Sequence, residues 1–221
     1  MFDNPKHVFW QAFLAAVIIL SFGIWMGFLL ENYKTSQAGI AFSKSEVDML
    51  DIRLQNEIYK EHEINCDIAV DENIAFANRI YEEAKILDRQ KEASKLTDDI
   101  IYQHKKYDIL RAIFWLNSIY IKEKCDSSYH NIVYFYKYKD LDLNKKAEQG
   151  VVSDLLTDLK EKYGNEIMLI PLAANNNITS VNLMMNYYNI TYLPTVLIDE
   201  KIKIEGLETF EQLEQALTSS K

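Results

Sequence analysis

The chain has 221 residues, 48% of them apolar, with six glycines, three prolines and a net charge of −9. That is enough apolar material for one or two cored domains, and it excludes collagen-like and proline-rich classes. The acidic balance, without a long run of Lys and Arg, excludes nucleic acid as the main partner, because phosphate binding needs a basic face; its plain meaning is solubility.

Residues 8–30 read VFWQAFLAAVIILSFGIWMGFLL, with Gln11 as the only strongly polar side chain. A helix of this length spans roughly 30 Å or more, the thickness of a hydrocarbon core, so it contacts membrane lipid. Trp10 and Trp25 lie near its ends, where amphipathic rings prefer the interface. A cleaved signal peptide would have a shorter apolar stretch and a small-x-small site. Bulky Phe28, Leu29 and Leu30 and then Glu31 follow instead, so an uncleaved anchor is expected. The flanking charges (Asp3 and Lys6 on one side; Glu31, Lys34 and Lys44 on the other) orient it weakly. A short tail, residues 1–7, is expected in the cytoplasm and residues 31–221 outside, with a single pass. Gly23 and Gly27 form a small-xxx-small pair that permits a homodimer; such pairs also arise by chance in apolar stretches.

After an expected linker at 31–42, residues 43–124 contain neither Pro nor Gly, which suits long helices. Val47, Leu50, Leu54 and Ile58 fall on one helix face, with Ser43 or Ser45 as a start signal. The stripe is long enough to permit a coiled-coil dimer and too short to require one. Asp71 would cap a second helix carrying Ile74, Ala77, Ile80, Ala84 and Leu87. A third helix, from about Thr97 to Lys124, would turn Ile101, Ile109, Ile113, Leu116 and Ile119 or Tyr120 inward.

Cys66 and Cys125 fall near helix ends, where chain reversals bring residues together. An extracytoplasmic location favours a structural bridge between them; a reducing compartment would leave two free thiols. They do not form CxxC. His62, four residues before Cys66, lacks the further ligands a zinc site needs, and His7, His104 and His130 suggest no triad. No cofactor is implied and no metal site is expected.

The period then changes. Asn131–Tyr138 is dense in β-branched and aromatic residues, a strand signal. A helix over Ala147–Tyr163 closes at Gly164, and EIMLIPLA (166–173) suits a buried strand. A helix over Ile178–Tyr188 follows. TVLID (195–199) and KIKIE (201–205) make a hairpin closed by Gly206, and Leu207–Leu217 is a last amphipathic helix. The fold class is α/β, and the order over residues 125–221 is β-α-β-α-β-β-α.

This order, with Tyr192-Leu193-Pro194-Thr195 before the hairpin, resembles the thioredoxin-like superfamily over residues 130–219. The resemblance implies a cis-proline at Pro194, beside a groove lined by Tyr138, Leu141, Tyr192, Leu193 and Thr195. It also implies Cys-x-x-Cys after the first strand. The matching stretch here, residues 140–149, has Leu141 and Asn144 at those positions. Thiol–disulfide exchange needs both sulfurs, so a degenerate, non-redox site is expected, and no enzyme. The layout of anchor, helical segment and domain is similar to small membrane-anchored thioredoxin-like proteins of archaea. Asn177-Ile-Thr and Asn189-Ile-Thr match the N-glycosylation pattern, which three-residue chance also produces.

Three functions stay open. One is a non-catalytic protein-binding or scaffold module with an unidentified protein client. Another is a thiol–disulfide oxidoreductase using Cys66 and Cys125. A third is a structural subunit that binds through its helical middle.

Overall fold

The computed structural model describes residues 5–93, 98–207 and 209–219; for 5–8, 31–45, 84–93, 98–100 and 103 it describes the backbone alone. The chain divides into two compact units, Met1–Val47 and Asp48–Lys221.

The first helix, α1 (Pro5–Glu61), is continuous. It runs through residues 31–42, expected as a linker, and through Ser43 and Ser45, expected to start a new helix. No proline interrupts the stretch, and Gly39 is its one glycine. Within α1, Phe9–Leu30 has a mean hydropathy of 2.5 and is long and apolar enough to cross a membrane. Its large apolar side chains, Trp10 and Trp25 included, are all exposed, as a lipid-facing surface would be. A Cβ added at Gly23 or Gly27 would meet nothing within 4 Å.

In the second unit, α2 (Cys66–Ala93) and α3 (Asp98–Cys125) precede strand β1 (His130–Tyr136). Then follow α4 (Leu143–Tyr163), β2 (Ile167–Ala173), α5 (Thr179–Tyr187), β3 (Thr195–Ile198), β4 (Ile202–Glu205) and α6 (Phe210–Ser219). The sheet order is β2-β1-β3-β4. β1 runs parallel to β2, with His130 opposite Ile167, and antiparallel to β3, with Phe135 opposite Thr195.

Alternation along the strands feeds two cores. Val133 and Phe135 of β1, Met168, Ile170 and Leu172 of β2 and Leu197 of β3 face α2, α3 and α5. Ile132, Tyr134, Ile167, Val196 and Ile198 face α4 and α6, meeting Val152, Leu156, Leu159, Leu213 and Leu217. The helical middle therefore covers one face of the sheet, as its apolar stripes required.

Which side chains those helices bury differs from the aliphatic pattern. On α3 the most deeply buried large apolar residues are Leu110, Phe114, Trp115 and Ile121, while Leu116 is 45% exposed. Aromatic rings bury more area than aliphatic side chains and set the helix's rotation. On α1, Ile52 is buried, and Leu50, Leu54 and Ile58 stay exposed. The cap of α2 is Asn65, whose Oδ1 accepts the Ile68 N–H at 3.3 Å, rather than Asp71. Lys160 closes the turn between α4 and β2: its Nζ donates to the carbonyls of Gly164 (2.7 Å) and Ile167 (2.8 Å). Burial lowers its pKa.

Cys66 and Cys125 form a disulfide, with Cα atoms 5.4 Å apart and a sequence separation of 59. It fastens the first residue of α2 to the last of α3. Free thiols are expected only after reduction, read by alkylation and mass spectrometry. A Cys66→Ala/Cys125→Ala variant is expected to lose about 4 kcal/mol in urea unfolding, the loop-closure entropy of a ring this size. Alkylation of both cysteines without reductant would contradict the bridge.

Candidate functional site

Two places concentrate polar and exposed apolar groups, one at each end of β1. The first is the C-terminal edge, where β1 leads into α4. Asp142 caps α4: its Oδ1 accepts the N–H groups of Asn144 (2.9 Å) and Lys145 (3.3 Å). The helix thus starts one turn earlier than its apolar spacing indicated, because Asp142 satisfies donors that would otherwise be orphaned. Leu141 is 95% exposed and Leu143 79% exposed, and Asn144 is exposed too. The segment from Tyr136 to Gln149 contains no cysteine, and the chain's two cysteines are bonded to each other. No thiolate can form at this helix start, and a capping carboxylate occupies the positive end of the helix dipole that would stabilise one.

Facing this helix start is the loop before β3. The Leu193–Pro194 peptide bond is cis. Pro194 and Thr195 are buried, Leu193 is half-buried and Tyr192 is 38% exposed. Thr195 Oγ1 donates to the Tyr192 carbonyl at 2.7 Å, and the Gly206 N–H donates to the Pro194 carbonyl at 2.9 Å. Tyr192 is held to α4. Its ring lies 4.1 Å beneath the Lys145 ammonium, its hydroxyl hydrogen-bonds Lys145, and it donates to Glu148 at 3.2 Å. Gly206, with φ +81°, packs under this cluster: a Cβ there would sit 3.1 Å from Glu148 Oε1. Leu207, next in the chain, is 56% exposed. Tyr138, expected at this edge, is instead buried with its ring 4.5 Å from that of His104 on α3. Its backbone is pinned by Asn175, which accepts its N–H and donates to its carbonyl.

Asn177 and Asn189 are both exposed, and each has φ of 53°, a left-handed conformation that Asn tolerates better than most residues.

The second place, at the N-terminal end of β1, is a polar network that the sequence did not reveal. The β3–β4 turn carries Asp199 and Glu200, with φ of 49° and 59°. Both carboxylates turn inward. Asp199 binds His130 Nδ1 (2.6 Å), the Asn131 N–H (2.9 Å) and Lys122 Nζ. Glu200 Oε1 accepts from Trp115 Nε1 at 2.6 Å and from Asn131 Nδ2 at 3.3 Å. Ser118 Oγ donates to Asn131 Oδ1 at 2.6 Å, and the Tyr129 hydroxyl donates to the Ser118 carbonyl at 2.7 Å. Burial pushes the pKa of Tyr129 up to about 12. Burial, and then the neighbouring Asp199 charge, raises the pKa of Glu200 against the opposing Trp115 hydrogen bond. An Asp-Glu-Lys turn between two strand-like runs reads as solvent-facing. The available signal was the pair of acidic residues where such a two-residue turn favours Asn-Gly. Among the described residues, no group of three or more His, Cys, Asp or Glu side chains is placed to hold a metal.

No protein-family model and no curated protein matches the chain. Among solved structures it is similar to chloroplastic thioredoxin z, at 15% identity and a TM-score of 0.34 over 43% of this chain and 80% of that one. It is also similar to oxidised thioredoxin O2 from Arabidopsis thaliana, at 15% identity and a TM-score of 0.33 over 48% of this chain and 85% of the other. A third match, described as a malarial protein, has 17% identity and a TM-score of 0.29 over 41% of this chain and 94% of that one. Its structural neighbours thus include thioredoxins, at a distance.

A carboxylic acid whose pKa is raised by folding keeps its proton in the native state after the unfolded chain has released it. Its contribution to stability therefore falls as pH rises through the interval above the ordinary value of 4.5. Glu200→Gln keeps an oxygen for Trp115 and removes that titration. Unfolding by urea across a pH series is expected to give the variant a stability that gains on the parent's above pH 4.5. Parallel stability curves for the two proteins would refute the assignment.

Proposed function

We propose that this chain is a membrane-anchored, extracytoplasmic thioredoxin-like protein without CxxC, whose C-terminal domain binds extended polypeptide segments beside Pro194 without redox chemistry. Its layout is that of the archaeal-type anchored proteins it resembles in sequence order. The observation that carries the proposal is the edge around the cis-proline loop. There Leu141, Leu143, Tyr192 and Leu207 present apolar surface to solvent around a helix start that contains no sulfur. Exposed apolar side chains gathered around one loop are characteristic of interaction sites.

The Cys66–Cys125 disulfide supports an oxidising compartment, and hence placement of the domain outside the cytoplasm. Its position also favours a structural role over an oxidoreductase one. Cys125 lies just before β1, whereas Pro194 adjoins Thr195, which pairs with Phe135 near the other end of the strand.

A second interaction face is supported by α1, where Leu50, Leu54 and Ile58 are 63%, 60% and 45% exposed at a helical spacing of four. That stripe suits a structural-subunit role or self-association.

With a photocrosslinker at position 141 or 193 and a library of short extended peptides, capture of apolar-containing peptides is expected. A Leu143→Asp/Leu207→Asp change should reduce it about tenfold, the loss of one or two buried apolar contacts. Capture no greater than from a crosslinker at an exposed position on α6 would overturn the proposal. Leu50→Lys/Leu54→Lys is expected to leave this capture unchanged while abolishing any self-association seen by sedimentation. If it abolishes the capture instead, the binding face is α1.

A further inference from the structure

Beyond the free edge of β2, on the side of the sheet away from Pro194, lies a cavity of about 570 Å³ between α3 and α4. Its size is that of a small-molecule site. Its apolar wall comes from the strands: Leu169 and Pro171 of β2, with Tyr134 and Tyr136 of β1. The two tyrosine rings stack, with centroids 5.5 Å apart and planes 20° from parallel. Pro171 has no N–H to offer to a further strand, so this edge is better suited to a ligand than to sheet extension.

The rest of the lining mixes neutral groups, Gln149, Ser153 and Thr157 of α4 among them, with a cluster of cations. Arg111, Lys137, Lys139 and Lys146 line the cavity against a single lining carboxylate, Asp140. This occurs in a chain whose net charge is −9. Lys137 pairs with Asp140 at 3.0 Å and Arg111 with Asp108 at 3.5 Å, so Lys139 and Lys146 are the lining cations in excess. The Arg111 side chain is only 7% exposed, and its Nε has no hydrogen-bond partner. Its nearest carboxylate, Asp108 Oδ1, stands 3.5 Å from Nη1. Asp108 also accepts from Asn176 Nδ2 at 2.6 Å and from the Ala173 N–H at 3.4 Å. A buried guanidinium at the wall of a cavity favours an anion beside it.

We propose that this cavity binds a small organic anion, a phosphate, sulfonate or carboxylate carried on an apolar or planar body. The body lies against Tyr134, Tyr136 and Pro171, and the charge is met by Arg111 with Lys139 and Lys146. This site adjoins the polypeptide edge at Leu141, which lines both, and extends from there to the β2 side of β1, whereas Pro194 precedes β3.

The probe is phenyl phosphate, titrated calorimetrically into the full chain in zwitterionic nanodiscs, with benzyl alcohol and inorganic phosphate as the neutral and body-less comparisons. Phenyl phosphate is expected to bind at least about tenfold tighter than either. Added salt should weaken it, and Lys139→Ala/Lys146→Ala should weaken it about fivefold, because these exposed cations act by screened attraction. Both lysines are exposed, so the fold is expected to survive, and Arg111→Lys supplies a second variant that keeps the charge and removes Nε. Heat no greater than from empty nanodiscs overturns the proposal. So does equal affinity for phenyl phosphate and either comparison compound, or unchanged affinity in the Lys139/Lys146 variant. Peptide capture is read separately at position 193, which does not line the cavity, so failure here leaves the polypeptide edge standing.

Discussion

Trp115 is the point at which the helical middle and the sheet become one body. No part of it is exposed. Its ring meets Phe135 of β1 edge-on at 6.0 Å and Tyr188, just past α5, at 5.3 Å, and its Nε1 donates to Glu200 in the β3–β4 turn. Burying a ring of this size contributes roughly 4–6 kcal/mol at about 25 cal/mol per Å². Four elements take their mutual positions from this one side chain. The turn could not hold two acidic residues at positive φ without partners of this kind, since that conformation is costly for residues other than glycine.

The two ends of the sheet are built on opposite principles. At the N-terminal end of β1, charged and polar groups are buried and answered by hydrogen bonds, and the disulfide closes the neighbouring helix ends. Such networks make one arrangement much better than its competitors. At the C-terminal end, apolar side chains are left in solvent around a capped helix start, with Tyr192 tied to α4 by Lys145 and Glu148. A firm base and an accessible rim suit the polypeptide binding proposed above, because such a rim would accept a partner without disturbing the core.

Much of this was legible in the residues themselves. The change from helical to alternating periodicity marked the strands to within two residues. The Leu-Pro-Thr segment marked the loop before β3, and the two cysteines at helix ends marked the bridge. What escaped depended on information that periodicity does not carry. The rotation of α3 follows Phe114 and Trp115 rather than the aliphatic stripe. The start of α4 follows a cap, Asp142, that lies outside the apolar pattern. Tyr138 belongs to α3's side because His104 and Asn175, both distant in sequence, hold it there. Asp199 and Glu200 look like solvent-facing turn residues but turn their carboxylates inward, since only the folded chain brings Trp115, His130 and Asn131 to meet them. The cationic cavity is of the same kind: Arg111 and Lys146 lie 35 positions apart and converge through the fold alone.

The disulfide has a consequence for the chain as a covalent object. Between Cys66 and Cys125 the polypeptide is a closed ring, and both the apolar N-terminal helix and the sheet attach to it from outside. A single peptide-bond cut anywhere within that ring leaves the sheet still joined to the apolar N-terminal helix. Further cuts between the two cysteines change nothing, because the sulfur bridge itself carries the connection; only a cut before residue 66 or after residue 125, or reduction of the bridge, sets the domain free.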